Sequence, residues 1–168
     1  MNKHRIPKTE FASLLQTAKA SDAAKEKVWF TIADRILNDW DGVSYSFLDA
    51  LTPGQAALVC CARFHRGAAY DFMTSLIESK LPELTLKAFE TIRADEYLDL
   101  LRKLKAVFPG KKFPEYPEDF MAAYGKLPDD YFDKIADKFI TGRTMKRPLR
   151  HYVLEYVTAH PEDFSTTS

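Results

Sequence analysis

Histidine is the commonest general base, and the chain carries four, at His4, His65, His151 and His160, none inside a signature that would activate it. His65 stands six residues before Asp71 and within reach of it across a turn. With Arg63 and Arg66 beside it, the simpler role is positive charge at the C-terminal end of a helix, where cations are favoured. A glycine-rich phosphate loop, a Gly-x-Ser-x-Gly elbow, a His-Glu-x-x-His pair and a Cys-x-x-Cys pair are all missing from the sequence. Cys60 and Cys61 are adjacent in an apolar stretch, where successive side chains diverge, so they make neither a disulfide staple nor a spaced metal pair. They are expected to be small core residues. These residues predict no enzyme, no metal and no cofactor.

Carboxylates are the more informative group. Residues 115–137 hold Glu115, Glu118, Asp119, Asp129, Asp130, Asp133 and Asp137 against only Lys126 and Lys134. Asp95, Glu96 and Asp99 form a second acidic group at the start of another predicted helix. Like charges three and four residues apart repel on a helix and cost a few tenths of a kcal/mol. Two accounts of the Asp130, Asp133 and Asp137 stripe are open. In one, Asp129 and Asp130 complement a helix N-terminus while Lys134 and Lys138 neutralise the rest. In the other the stripe is a binding surface: carboxylates at about 5–6 Å intervals imitate, in sign and spacing, the phosphates of a duplex, and would capture a DNA-binding protein. The basic cluster Arg143, Lys146, Arg147 and Arg150 is too small, on a chain of zero net charge and without a recognition-helix signature, to predict direct nucleic-acid binding. It is expected to be a solvated face or an intersubunit salt bridge.

Positioning these groups falls to helices. At 168 residues, 46% hydrophobic and 29% charged, the chain suits one folded domain. Its longest apolar run, Ala56 to Ala62, is far short of the roughly 20 residues of a membrane span. No secretory signal follows Lys3, Arg5 and Lys8, so a cytoplasmic location is expected. Helix signals recur and hairpin signals do not. Thr9 is expected to cap a helix to Ala18, and Ser21 one to Asn38 closed by Gly42. Thr52-Pro53 opens an apolar central helix to about His65, with Gly67 as its punctuation. A helix with Tyr70, Met73, Leu76 and Ile77 on one face leads to Pro82, which starts the next, carrying Phe89 and Ile92. Asp95 opens one with Tyr97, Leu101, Leu104 and Phe108 inward, and residues 109–118 form a loop. A short helix spans Glu118 to Tyr124; Pro128 begins one that buries Tyr131, Phe132, Ile135, Phe139 and Ile140; Pro148 begins the last, to Ala159. The expectation is an all-α bundle or orthogonal array of about eight helices spanning 1–168, with an N-terminal arm at 1–8 and a mobile tail at 165–168.

Against this frame, residues 51–164 resemble the DUF4375 family, whose named member is a DNA mimic. The carrying residues are Leu51-Thr52-Pro53-Gly54-Gln55, Arg66-Gly67-Ala68-Ala69-Tyr70-Asp71-Phe72-Met73, Lys87-Ala88-Phe89-Glu90-Thr91-Ile92, Ala94 to Leu101, Val107-Phe108-Pro109-Gly110, Leu127 to Ile140, and His160-Pro161-Glu162-Asp163-Phe164. The resemblance implies a homodimer whose aligned acidic surface occupies the DNA-binding face of a transcription factor. The alternative is a general interaction or immunity-type module in which the aromatics Tyr116, Phe120 and Tyr124 dominate binding.

Overall fold

In the computed structural model, which describes residues 4–38, 40, 44–78 and 80–166, ten α-helices follow one another. They are α1 (Lys8–Ala18), α2 (Asp22–Leu37), α3 (Pro53–Tyr70), α4 (Phe72–Ile77), α5 (Leu81–Thr91), α6 (Asp95–Ala106), α7 (Pro117–Tyr124), α8 (Tyr131–Thr141), α9 (Leu149–Ala159) and α10 (Pro161–Phe164). Short 3-10 turns occupy Tyr45–Ala50 and Pro109–Lys111. The architecture is all-α. Among the described residues the extended pairing is a single parallel bridge between Ile6 and Ser165.

The centre is α3, and its sequence says why. Thr52 and Gln55 cap it reciprocally, the Thr52 hydroxyl accepting from the Gln55 N–H and the Gln55 side chain accepting from the Thr52 N–H, each at 3.2 Å. Behind the cap, Leu58, Val59, Cys61, Ala62 and Phe64 are all buried, so the helix needs partners on every side. It finds α5, α2, α4, α8 and α9. Trp29 of α2 packs into this centre and donates its indole N–H to the Leu58 carbonyl at 3.3 Å, so a buried donor is satisfied.

Several boundaries differ from expectation. Thr9 lies inside α1, and Pro7 precedes the helix without a capping side chain. The central helix does not stop near His65. It runs on through Gly67 to Tyr70, because Gly67 serves interhelical contact and not termination: a Cβ there would lie 2.7 Å from Ser75 Cβ on α4. Tyr70 therefore ends α3, 95% exposed, instead of lining the inner face of the next helix. Asp71, its carboxylate accepting the Thr74 N–H, caps α4. The tail is held at its start, since Ser165 is buried and the Thr166 N–H donates to the Ile6 carbonyl at 2.9 Å. Gly42, Lys3 and the last two tail residues lie outside the described residues. No described helix is long and apolar enough to cross a membrane.

The aromatic residues of α8 bind the second half of the chain to the centre. Phe139 is fully buried and its ring lies 5.1 Å from Phe64, 6.2 Å from Phe89, 6.0 Å from Tyr97 and 6.1 Å from Phe72. At the other end Phe132 stands 4.5 Å from Phe120 and 6.0 Å from Phe108. Tyr97 opens α6 and Phe108 follows its end, so α6 and α8 run antiparallel. That sets where the acidic groups fall.

Candidate functional site

The acidic stretch 115–137 is one packed unit. Pro117 starts α7, with Glu118 and Asp119 in the first turn, where carboxylates complement the helix dipole. Phe120 and Ala123 turn inward. The Tyr124 ring stacks on Phe132 at 5.9 Å, and its hydroxyl donates to the Asp129 carbonyl at 3.3 Å, which fastens the end of α7 to the lead into α8. α8 begins at Tyr131, three residues after Pro128, so Asp129 and Asp130 precede the helix and Asp133 lies in its first turn. Phe132, Ile135 and Phe139 are buried on the inner face, with Tyr131 and Ile140 half-buried beside them.

On the outer side Glu115, Glu118, Asp129, Asp130 and Asp133 are exposed, while Asp119 and Asp137 are half-buried. Asp130 is paired with Lys134 at 2.6 Å, one turn on. α7 is roughly 12 Å long, with Glu118 and Asp119 in its first turn and the Asp129 backbone tied to its last residue, Tyr124. Gly142 closes α8 in the left-handed region at φ 72, and a Cβ there would lie 2.6 Å from Pro148 Cα.

Asp95, Glu96 and Asp99 are elsewhere. Because α6 runs antiparallel to α8, they sit at the end of α8 opposite Asp130 and Asp133. Asp95 and Asp99 are exposed. Glu96 is engaged within the fold, accepting the Lys146 N–H at 2.8 Å, the Arg147 N–H at 3.1 Å and the Tyr152 hydroxyl at 2.8 Å. Burial pushes its pKa up, but these donors outweigh burial and hold the carboxyl below the usual range.

The basic cluster divides too. Arg143 and Lys146 are exposed. Arg147 pairs with Glu155 at 2.6 Å and lies over the Tyr152 ring at 4.3 Å. Arg150 points inward to Asp22 at 3.0 Å and Glu26 at 3.7 Å, tying α9 to α2. Asp22 also meets His151 at 2.7 Å and Lys25 at 3.2 Å; Arg150, then His151 and Lys25, hold its carboxyl far below the ordinary range.

His65 is not at a helix end. Since α3 continues five residues further to Tyr70, its imidazole is buried within the helix, with Trp29 and Phe30 rings 5.2 and 5.5 Å away and Glu26 at 3.7 Å. Burial pushes its pKa down, opposed by Glu26. Asp71 faces Thr74 instead. Cys60 and Cys61 are free and buried, and burial pushes the Cys60 thiol up to about 12. Among the described residues no group of three or more His, Cys, Asp or Glu could hold a metal ion.

The aromatic set is corrected in one member. Tyr116 (63%) and Tyr124 (38%) are exposed, but Phe120 is core, and Met121 (54%) takes its place on the surface. The signal was present: once Phe120 turns inward, the next residue on a helix points about 100° away.

A family model described as DMP19-like protein matches residues 49–160. That match overturns the resemblance to DUF4375: the stretch read as that family is matched by this one instead. No curated protein and no solved structure matches the chain.

Proposed function

The chain belongs to the family of DMP19-like proteins, two-thirds of its length being matched, and on that premise we propose that it is a non-enzymatic DNA mimic. It binds the DNA-binding face of a transcription factor through its acidic helices and keeps that factor off DNA. The observation that carries this is the α7–α8 unit: Glu115, Glu118, Asp129, Asp130 and Asp133 stand exposed on a support fixed from within by Phe120, Phe132 and Phe139. Rigid backing matters because a mimic must present charges already spaced, as a duplex does, without the entropy cost of ordering them on binding. Asp119 and Asp137 are half-buried on the same two helices, while Asp95 and Asp99 lie exposed near the other end of α8 and Glu96 is engaged within the fold.

Homodimerisation fits the geometry of the target. Many factors read two half-sites about 34–36 Å apart. The eleven residues of α8 span only roughly 16 Å, so two copies present two acidic units where one cannot. The protein meets its partner in the cytoplasm and touches neither nucleic acid nor membrane itself.

The deciding experiment is capture from native extract at low salt, followed by a rising salt gradient. Recovery of a DNA-binding protein that salt releases and duplex DNA competes away is the expected result. A partner indifferent to both salt and DNA would overturn mimicry. Such a partner would favour the second function, an interaction or immunity-type module, which the exposed Tyr116, Met121 and Tyr124 beside the acids support.

A further inference from the structure

Of the large apolar side chains exposed among the described residues, Tyr116, Met121 and Tyr124 all fall on or beside α7, inside the acidic unit. Carboxylates alone suffice to imitate phosphates, and exposed rings add nothing to that likeness. They do add a contact with one kind of cation.

The chain's own ion pairs show which kind. Arg66 forks onto Asp34 through both terminal nitrogens, at 2.5 and 2.9 Å, while its guanidinium lies over the Phe30 ring at 4.3 Å. Arg147 pairs with Glu155 and lies over Tyr152 at 4.3 Å; Arg63 pairs with Glu78 and lies over Trp40 at 4.0 Å. In each case a flat, weakly hydrated cation takes a ring face and a carboxylate at once. The lysine in the comparable place, Lys105, pairs with Glu83 but stands 5.5 Å from the Phe113 ring. A compact, strongly hydrated ammonium meets the carboxylate and not the face.

The α7–α8 unit offers the same two parts. The Tyr124 ring is held by its hydroxyl on the Asp129 carbonyl and stacked on Phe132, so it is fixed with Asp129 at its hydroxyl end. Glu115 and Tyr116 line one cavity of about 400 Å³ together with Ile77 and Lys80. Among the described residues neither Glu115 nor Asp129 has an ion pair, and no cation of the chain lies over Tyr116 or Tyr124. Lys80, which lines that cavity, and Lys126, two residues beyond Tyr124, make no ion pair either, while Lys134 is taken by Asp130.

We infer that this surface selects arginine over lysine: a partner segment lays one guanidinium on the Tyr124 ring toward Asp129 and another on Tyr116 toward Glu115. Met121 packs against the apolar stems of those side chains. The inference rests on the capture of a basic partner proposed above, and adds the side chain by which that partner is chosen.

The test is titration of the full chain with hexa-arginine and hexa-lysine, equal in length and charge, at one low salt concentration. Backbone amide resonances should shift saturably at Tyr116, Met121, Tyr124 and Asp129. A guanidinium on an exposed ring is worth about threefold, so two rings should give hexa-arginine an advantage of about tenfold. Tyr124→Leu and Tyr116→Leu should each cut that advantage by about threefold, and the double variant should bind the two peptides within about twofold of each other. Tyr124→Phe keeps the face and should keep the advantage. Tyr116 makes no ring contact among the described residues, so Tyr116→Leu still reads the effect should Tyr124→Leu loosen α7. Tyr70→Leu is the control, since that exposed ring stands beside Asp71, whose carboxylate already accepts the Thr74 N–H. Equal affinity for the two peptides would overturn the selection of arginine and leave acidic capture standing, whereas no binding of either at low salt would overturn both. An undiminished advantage in the double variant, or the same loss from Tyr70→Leu, would also refute the assignment to Tyr116 and Tyr124.

Discussion

Replacing Asp130, Asp133 and Asp137 together with Asn separates charge from shape, because the amide keeps the volume of the carboxylate. The stability change can be worked from the helix. The Asp130–Lys134 pair at 2.6 Å is solvent-exposed, and losing it costs about 0.3–0.5 kcal/mol. Losing acids near the helix N-terminus costs about another 0.3–1 kcal/mol, while removing the like-charge Asp133–Asp137 spacing returns about 0.2–0.5 kcal/mol. The net is about 0.1–1.3 kcal/mol, or a Tm change of no more than about 5 °C in a chain of this size. Partner binding should respond far more. A carboxylate about 4 Å from a partner cation in water is worth about 1 kcal/mol, so three of them make roughly 3 kcal/mol, or about a hundredfold, at low salt. With a Debye length of about 8 Å at physiological salt, the same substitutions should cost nearer tenfold. Titration of the captured DNA-binding protein at both ionic strengths, with thermal melts run alongside, reads both quantities. A triple variant that melts normally and binds within about threefold of the original chain at low salt would refute capture through α8.

The remaining expectations concern the support beneath that surface. Phe139→Ala, which strips a fully buried ring from contact with Phe64, Phe72, Phe89 and Tyr97, should cost about 3–5 kcal/mol and lower the Tm by roughly 6–20 °C in a calorimetric scan. Gly142→Ala combines a left-handed φ of 72 with a Cβ 2.6 Å from Pro148 Cα, so denaturant unfolding should show a loss of at least about 1 kcal/mol. The folded Asp22 carboxyl titrates below its unfolded value, so its contribution is present above about pH 4 and lost as pH falls further. Melts of Asp22→Asn should accordingly fall below those of the original chain at pH 7, with the gap closing toward pH 2. A gap that persists undiminished in acid would remove the charge from the account.

How much of this was written in the sequence depends on how local the cause is. Thr52, Pro53 and Gln55 fix the start of α3 by hydrogen bonds within three residues, so that start was legible. The inward Phe132, Ile135 and Phe139 follow from period alone. The end of α3 was not legible, because Gly67 is glycine for the sake of Ser75 on another helix, and the same residue type signals termination when read locally. That one distance moved His65 from a helix end into the core and Tyr70 from the core to the surface. The division of the acids was likewise hidden: Asp95, Glu96 and Asp99 are as acidic as Asp129, Asp130 and Asp133. Only the antiparallel course of α6 and α8, set by ring contacts among distant residues, sends them to opposite ends. Glu96 illustrates the limit most sharply, since its three donors come from residues 50 to 56 positions away.

Net neutrality, which at first sight argues against imitation of a polyanion, loses its force once the charges are placed. The chain carries 24 basic and 24 acidic residues, but a partner does not feel their sum. It feels the charges within about a Debye length, near 8 Å at physiological salt. Asp129, Asp130 and Asp133 lie at the start of α8, and Arg143 and Lys146 follow its end, a separation of roughly 16 Å or about two screening lengths. Arg150 is withdrawn onto Asp22 and Glu26, Arg147 onto Glu155 and Lys134 onto Asp130, which leaves Lys126 as the exposed cation within residues 115–137. The acidic end therefore acts with its own local charge, and the basic end does not cancel it. Raising ionic strength shortens the range of the acidic end, so capture of a basic partner should weaken with salt, with the on-rate carrying most of the change.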